Sequence, residues 1–144
     1  MTANTLNTHV TLVNDKVRFS GTARNNPAVT MDYFPPAGDG EGYTGLEMLL
    51  LSLSGCSSTA IKVLLQKMHR KVEGLQVEAS GIRQETAPFA FSSIRLEFTV
   101  SSPDAGDGDV AKAISLAESS MCPVWAMVKG NVGIETTYNL VRTL

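Results

Sequence analysis

Four side chains of this 144-residue sequence have the types and settings to do chemistry: Cys56, Cys122, Glu47 and Arg18. Cys56 lies in SLSGCSSTA, among Ser54, Gly55, Ser57 and Ser58, between the apolar runs LEMLLL and AIKVLL. A thiol there is either an inert packing residue or a nucleophile around which small neighbours leave room for a substrate. As a nucleophile it needs a cation, and its own helix offers none before Lys62. Cys122 precedes Pro123. Proline favours the first helical position, which would make Cys122 an N-cap whose thiolate a helix N-terminus stabilises; the other reading is a small residue in a turn. Glu47 stands three positions after Thr44, the spacing of a capping box, which is the favoured reading over a catalytic carboxylate. Arg18, in KVRFSG, alternates with Val17 and Phe19, so on a strand it faces away from both. It is either a solvent-facing arginine or the activator of a thiol or partner of a carboxylate.

The remaining candidates carry less. Gly40, Gly42 and Gly45 match G-x-G-x-x-G, but Pro35 and Pro36 intervene after the preceding strand and no acid occurs between Glu47 and Glu73. A dinucleotide site needs both features, so this is a loop. His9 and His69 are far apart, without metal-ligand spacing, and read as surface residues. No metal and no cofactor is expected.

These side chains need elements to position them. HVTLV and KVRFSG flank a turn at Asn14-Asp15, AVTMDYF is a third short strand, and PPAGDGEGYTG is a Pro/Gly-rich loop. A helix follows from Thr44 to about Arg70. Its first half is apolar nearly all round (Leu46, Met48, Leu49, Leu50, Leu51, Leu53), so it should be buried; its second half turns Ile61, Leu64, Leu65 and Met68 inward. A helix of this length is hard to cover with 144 residues, which implies a second subunit. LQVEASGIRQ (75–84) and SIRLEFTVSS (93–102) alternate as an antiparallel strand pair. Asp109 is expected to cap a helix running through Glu118, SSMCPVWAMVKG to begin a short helix ended by Gly130, and VGIETTYNLV to form a last strand. The order βββ-α-ββ-αα-β is α+β, in one domain over 1–144.

Composition excludes several classes. Apolar residues make up 43% and charged residues 18%, within the globular range. A net charge of −2 argues against nucleic acid. Ser, Gly and Lys interrupt each apolar run, which speaks against a membrane span. MTANTLNTHV has no basic or apolar region of a signal peptide, so a cytoplasmic location is expected. Two cysteines in that setting are free or catalytic rather than a structural disulfide.

Three segments resemble the OsmC/Ohr family, the osmotically inducible and organic hydroperoxide resistance proteins: KVRFSG with VTMDY, TGLEMLLLSLSGCSSTAIKVLLQKM, and SSMCPVWAMVKGNVGIETTYNLV. The resemblance spans nearly the whole chain. It implies an OsmC-like fold, with antiparallel sheets around a long buried central helix, in an intertwined homodimer with active sites at the subunit interface. It implies a thiol peroxidase for organic hydroperoxides, an antioxidant stress-response activity, in which Cys56 attacks, Cys122 resolves, and a dithiol reductant, such as a lipoylated protein, resets the enzyme. Glu47 matches the family's helix glutamate and would orient Arg18; Arg18 matches its arginine, with Arg24 the neighbouring alternative. Met48, Leu51, Phe89, Phe91 and Trp125 would line an apolar substrate pocket. Two features depart from the pattern. SGCS resembles an OsmC-like subgroup, and Glu47 precedes Cys56 by nine positions, one fewer than in the familiar peroxidases. Nine steps of about 100° put the two side chains on opposite faces of a straight helix. Either the helix is irregular near Gly55 or each site takes one residue from the partner subunit. The rival readings are a dimeric module that binds a small apolar ligand without chemistry, and a thiol redox sensor.

Overall fold

The computed structural model describes residues 4–144, so the start of MTANTLNTHV lies outside the described residues. By its internal contacts the chain forms two compact units: residues through Leu49, and Leu50–Leu144.

The first unit holds three short strands, β1 (His9–Leu12), β2 (Phe19–Thr22) and β3 (Val29–Met31), in an antiparallel sheet of order β1-β2-β3. Arg18 precedes β2 instead of sitting mid-strand. Asn14 explains this: its side-chain oxygen accepts the Lys16 and Arg18 amides at 3.0 Å each, and the Val13 amide donates to the Arg18 carbonyl at 2.8 Å. A side chain that satisfies the backbone locally competes with the sheet ladder.

Helix α1 (Gly45–Lys67) is continuous α-helix through Gly55, so local irregularity does not bring Glu47 and Cys56 to one face. Its buried residues, Leu53, Ser57, Ala60, Ile61, Leu64 and Leu65, form one stripe at helical spacing. The expectation of burial all round fails within the single chain: Leu51 is exposed, and Leu46, Met48, Leu49 and Leu50 are only half-buried. The serines and glycine also interrupt the helix less than expected. Among the described residues α1 is long and apolar enough to cross a membrane, with mean hydropathy 1.6 over its best window, a third of which is buried. No charge falls between Glu47 and Lys62, and Ser57 and Thr59 spend their hydroxyls on the Ser54 and Gly55 carbonyls. Its place as the long helix of an α+β fold, with one face covered by protein, accounts for that hydropathy.

In the second unit β4 (Gly74–Arg83) pairs antiparallel with β5 (Phe91–Ser102), as expected. The last strand, β6 (Gly133–Arg142), joins β5 in parallel, so this sheet, of order β4-β5-β6, is mixed rather than antiparallel throughout. The chain between β5 and β6 carries helices, and such a crossover is what parallel pairing requires. Phe91, Ile94, Leu96, Phe98 and Val100 of β5 are buried.

Helix α2 (Asp107–Leu116) starts earlier than Asp109, with Gly106 as N-cap. Asp109 is its third residue and reaches back to accept the Gly106 amide at 2.9 Å. A π-helical turn, Ala117–Met121, replaces the expected end of that helix. Helix α3 (Pro123–Val128) follows with Cys122 as N-cap, and Gly130 lies just beyond it at φ 94°.

Candidate active site

Cys56 and Cys122 come together in the second unit. α1 supplies Cys56, half-buried; Cys122, at the mouth of α3, is 2% exposed. The π turn ends at Met121, and the Cys122 amide donates to the Ala117 carbonyl at 2.9 Å, which fixes the backbone just before the thiol. Both cysteines are free thiols, and Cys56 is near enough to Cys122 to act on its thiol. Burial pushes the Cys122 thiol above its ordinary value. The Trp125 amide, which donates to Cys122 Sγ at 3.4 Å, and the Val124 amide pull it down, while Cys56 pushes it further up. Burial prevails, because α3 is only six residues long and few donors reach the sulfur. Local sequence physics had made Cys122 the better thiolate. The structure reverses that: Cys122 holds its proton, and Cys56 is the more accessible sulfur.

Glu47 is the cap residue that its spacing predicts. The Thr44 amide donates to Glu47 Oε1 at 2.8 Å, and the Glu47 amide to Thr44 Oγ1 at 3.2 Å. Arg18 makes no ion pair with Glu47. Its Nε lies 3.4 Å from Asp32 Oδ2 and its Nη2 3.3 Å from Asp39 Oδ2; Lys16 Nζ also pairs with Asp39, at 2.6 Å. Arg24 stands exposed in a turn at φ 56°.

Sequence reading passed over Asp32. Its side chain is fully buried, yet ionised: burial alone would raise its pKa, but the amides of Glu41, Tyr33 and Asp39, with Arg18, hold it below the ordinary carboxylate value. The donor distances are 3.1 Å from Glu41, 2.8 Å from Tyr33 and 3.3 Å from Asp39. The carboxylate thereby organises the Pro/Gly-rich loop. A β-carbon at Gly38 would fall 2.3 Å from Asp32 Oδ1 and from the Tyr33 carbonyl, so only glycine fits there. The available signal was an acid ending a strand just before a loop dense in glycine amides.

The expected pocket residues have different surroundings. Trp125 is buried beside Cys122, and among the described residues its indole Nε1 has no hydrogen-bond partner. Phe91 is buried with its ring over Gly81, where a β-carbon would meet the ring at 2.4 Å. Phe89 is half exposed at φ 60° in the β4–β5 connection, where Arg83 stacks over its ring at 5.6 Å and donates to its carbonyl. Leu51 is exposed and Met48 half-buried on α1. His9 and His69 are exposed.

The family model for "OsmC-like protein" matches residues 38–137, and the chain belongs to that family. It is 34% identical over 96 residues to Protein YhfA of Escherichia coli K12, covering 67% of this chain and 72% of YhfA. Two solved structures share the fold. An OsmC-like protein from Mycoplasma pneumoniae has TM-score 0.82 at 17% identity, over 97% of this chain and 99% of that one. An organic hydroperoxide resistance protein OsmC from Legionella pneumophila has TM-score 0.71 at 11% identity, over 96% and 99%.

Proposed function

We propose that this protein is a two-cysteine peroxidase that reduces organic hydroperoxides, working as a homodimer in the cytoplasm. Membership of the OsmC family and the name of the Legionella neighbour point to redox chemistry of this type. The observation that carries the reading is a pair of neighbouring free thiols, Cys56 half-buried and Cys122 buried with its pKa raised. The Cys56 thiolate attacks the distal oxygen of the hydroperoxide. The O–O bond breaks, the alcohol leaves with a proton, and Cys56 becomes a sulfenic acid. Cys122 then attacks that sulfur, water leaves, and a disulfide joins the two. A dithiol, such as a lipoyl group, restores both thiols and is itself oxidised. Arg18 is the cation assigned to charge developing on the sulfur and the peroxide oxygens. Trp125, Phe91, Phe89, Leu51 and Met48 supply the apolar surface that favours organic over hydrogen peroxide. The exposed apolar residues of α1, Leu51 and Val63 among them, give a second subunit its contact surface.

The test is a thiol count with intact mass after one equivalent of cumene hydroperoxide or of hydrogen peroxide. Rapid loss of both thiols and of two mass units, selective for the organic peroxide, is expected. Thiols untouched by both oxidants would favour a ligand-binding module. Oxidation with no turnover in the presence of dihydrolipoamide would favour a sensor.

A further inference from the structure

The proposed cycle ends on a disulfide between Cys56 and Cys122, both in the second unit, and the two sulfurs are not equivalent to an incoming reductant. Cys122 is 2% exposed, between the buried residues Ala117 and Trp125, and its sulfur accepts the Trp125 amide at 3.4 Å. Cys56 is half-buried on α1, and its surroundings are open on one side. Gly55 and Thr59 beside it are exposed, and a β-carbon at Gly55 would meet nothing within 4 Å. Thiol–disulfide exchange is an in-line displacement: the attacking thiolate approaches one sulfur from the side opposite the bond that breaks. Access therefore helps decide which of the two sulfurs is taken. Cys122 offers almost no surface for that approach.

We infer that the dithiol reductant attacks the disulfide at Cys56 and expels Cys122. The inference rests on the proposed function. One thiolate of the reductant bonds to Cys56 Sγ, the Cys56–Cys122 bond breaks, and its electron pair goes to Cys122 Sγ. The departing sulfur has the Trp125 amide as a donor while it carries charge, and it then takes a proton, the form that its burial favours. The second thiolate of the reductant attacks its own bound sulfur, releases Cys56 and closes the reductant's disulfide. The two protons lost by the reductant end on Cys56 and Cys122. The same geometry selects against monothiols. A monothiol leaves a mixed disulfide on Cys56 with the freed Cys122 beside it, and Cys122 can attack Cys56 again and reverse the step.

The test traps the mixed disulfide. The full chain is oxidised with diamide, loss of two thiols and two mass units is confirmed, and N-acetylcysteine is added briefly before quenching with N-ethylmaleimide and peptide mapping. N-acetylcysteine on Cys56 with maleimide on Cys122 is expected, by about tenfold or more over the reverse pattern. In guanidinium chloride, which removes the burial, the ratio should fall to within about twofold of even. The reverse pattern or an even split in the folded protein would overturn the inference, and so would a preference that survives unfolding. No adduct on either sulfur would overturn it too, since Cys56 would then be as closed as Cys122. Diamide needs no peroxide chemistry, so the two readings fail separately. A disulfide formed by diamide but not by cumene hydroperoxide would overturn the peroxidase reading while the adduct still assigns the sulfur attacked. No disulfide with diamide would overturn both.

Discussion

Asp32 and Cys122 are two buried acids in two regions of one chain, and burial acts on both in the same direction, against the charged form. The outcomes are opposite. Asp32 is held ionised by four N–H donors from Tyr33, Asp39, Glu41 and Arg18, and its pKa falls. Cys122 receives the Trp125 and Val124 amides, faces a second thiol, and its pKa rises. A helix N-terminus is therefore not enough to make a thiolate; the number of donors that reach the atom decides. The loop cluster is built to hold charge in a fixed place, and the thiol pair is built to keep one sulfur neutral beside a more accessible one.

The largest expected effect breaks the thiol side of this comparison. Cys56→Ser should lower peroxide turnover by about 10³-fold or more, as losing a nucleophile does. Cys122→Ser should still consume one equivalent of peroxide but accumulate a sulfenic acid, detected by dimedone adduction and mass. Full turnover by the Cys56→Ser protein would reverse the roles of the two cysteines.

A smaller effect breaks the loop side. Gly38→Ala forces a β-carbon onto Asp32 Oδ1 and the Tyr33 carbonyl, and overpacking against backbone is expected to cost about 2–3 kcal/mol in urea denaturation. An unchanged midpoint would show that the Asp32 grip on the loop is loose.

The smallest effect sharpens the comparison through pH. Because the folded-state pKa of Asp32 is depressed, its contribution to stability is fully present above the ordinary value of 3.8 and is lost as pH falls through the depressed folded value. The stability gap between wild type and Asp32→Asn, measured by denaturation, should therefore be constant from pH 7 to about pH 5 and close at lower pH. A gap that persisted unchanged into strong acid would mean that the charge of Asp32 is not what stabilises the loop.

Much of the scaffold was legible because it depends on local pattern. The strand–helix order, the antiparallel β4–β5 pair, the Thr44–Glu47 box and the N-cap position of Cys122 each follow from residues close together in sequence, as do the cysteine motifs that mark the family. Asn14 defeated the strand reading at Arg18 by a local side-chain bond that alternation cannot see, and Asp109 reads equally well as cap or as third helical residue.

By itself, then, the sequence determined the elements, the family and the identity of the two thiols, since periodicity, capping and turn chemistry are properties of neighbouring residues. Tertiary structure alone decided that β6 runs parallel to β5, that Cys56 and Cys122 meet across residues far apart in the chain, and that Arg18 belongs to Asp32 and Asp39 instead of Glu47. It also decided which buried acid keeps its charge, because desolvation and the count of donors converging on one atom exist only once distant segments have packed together.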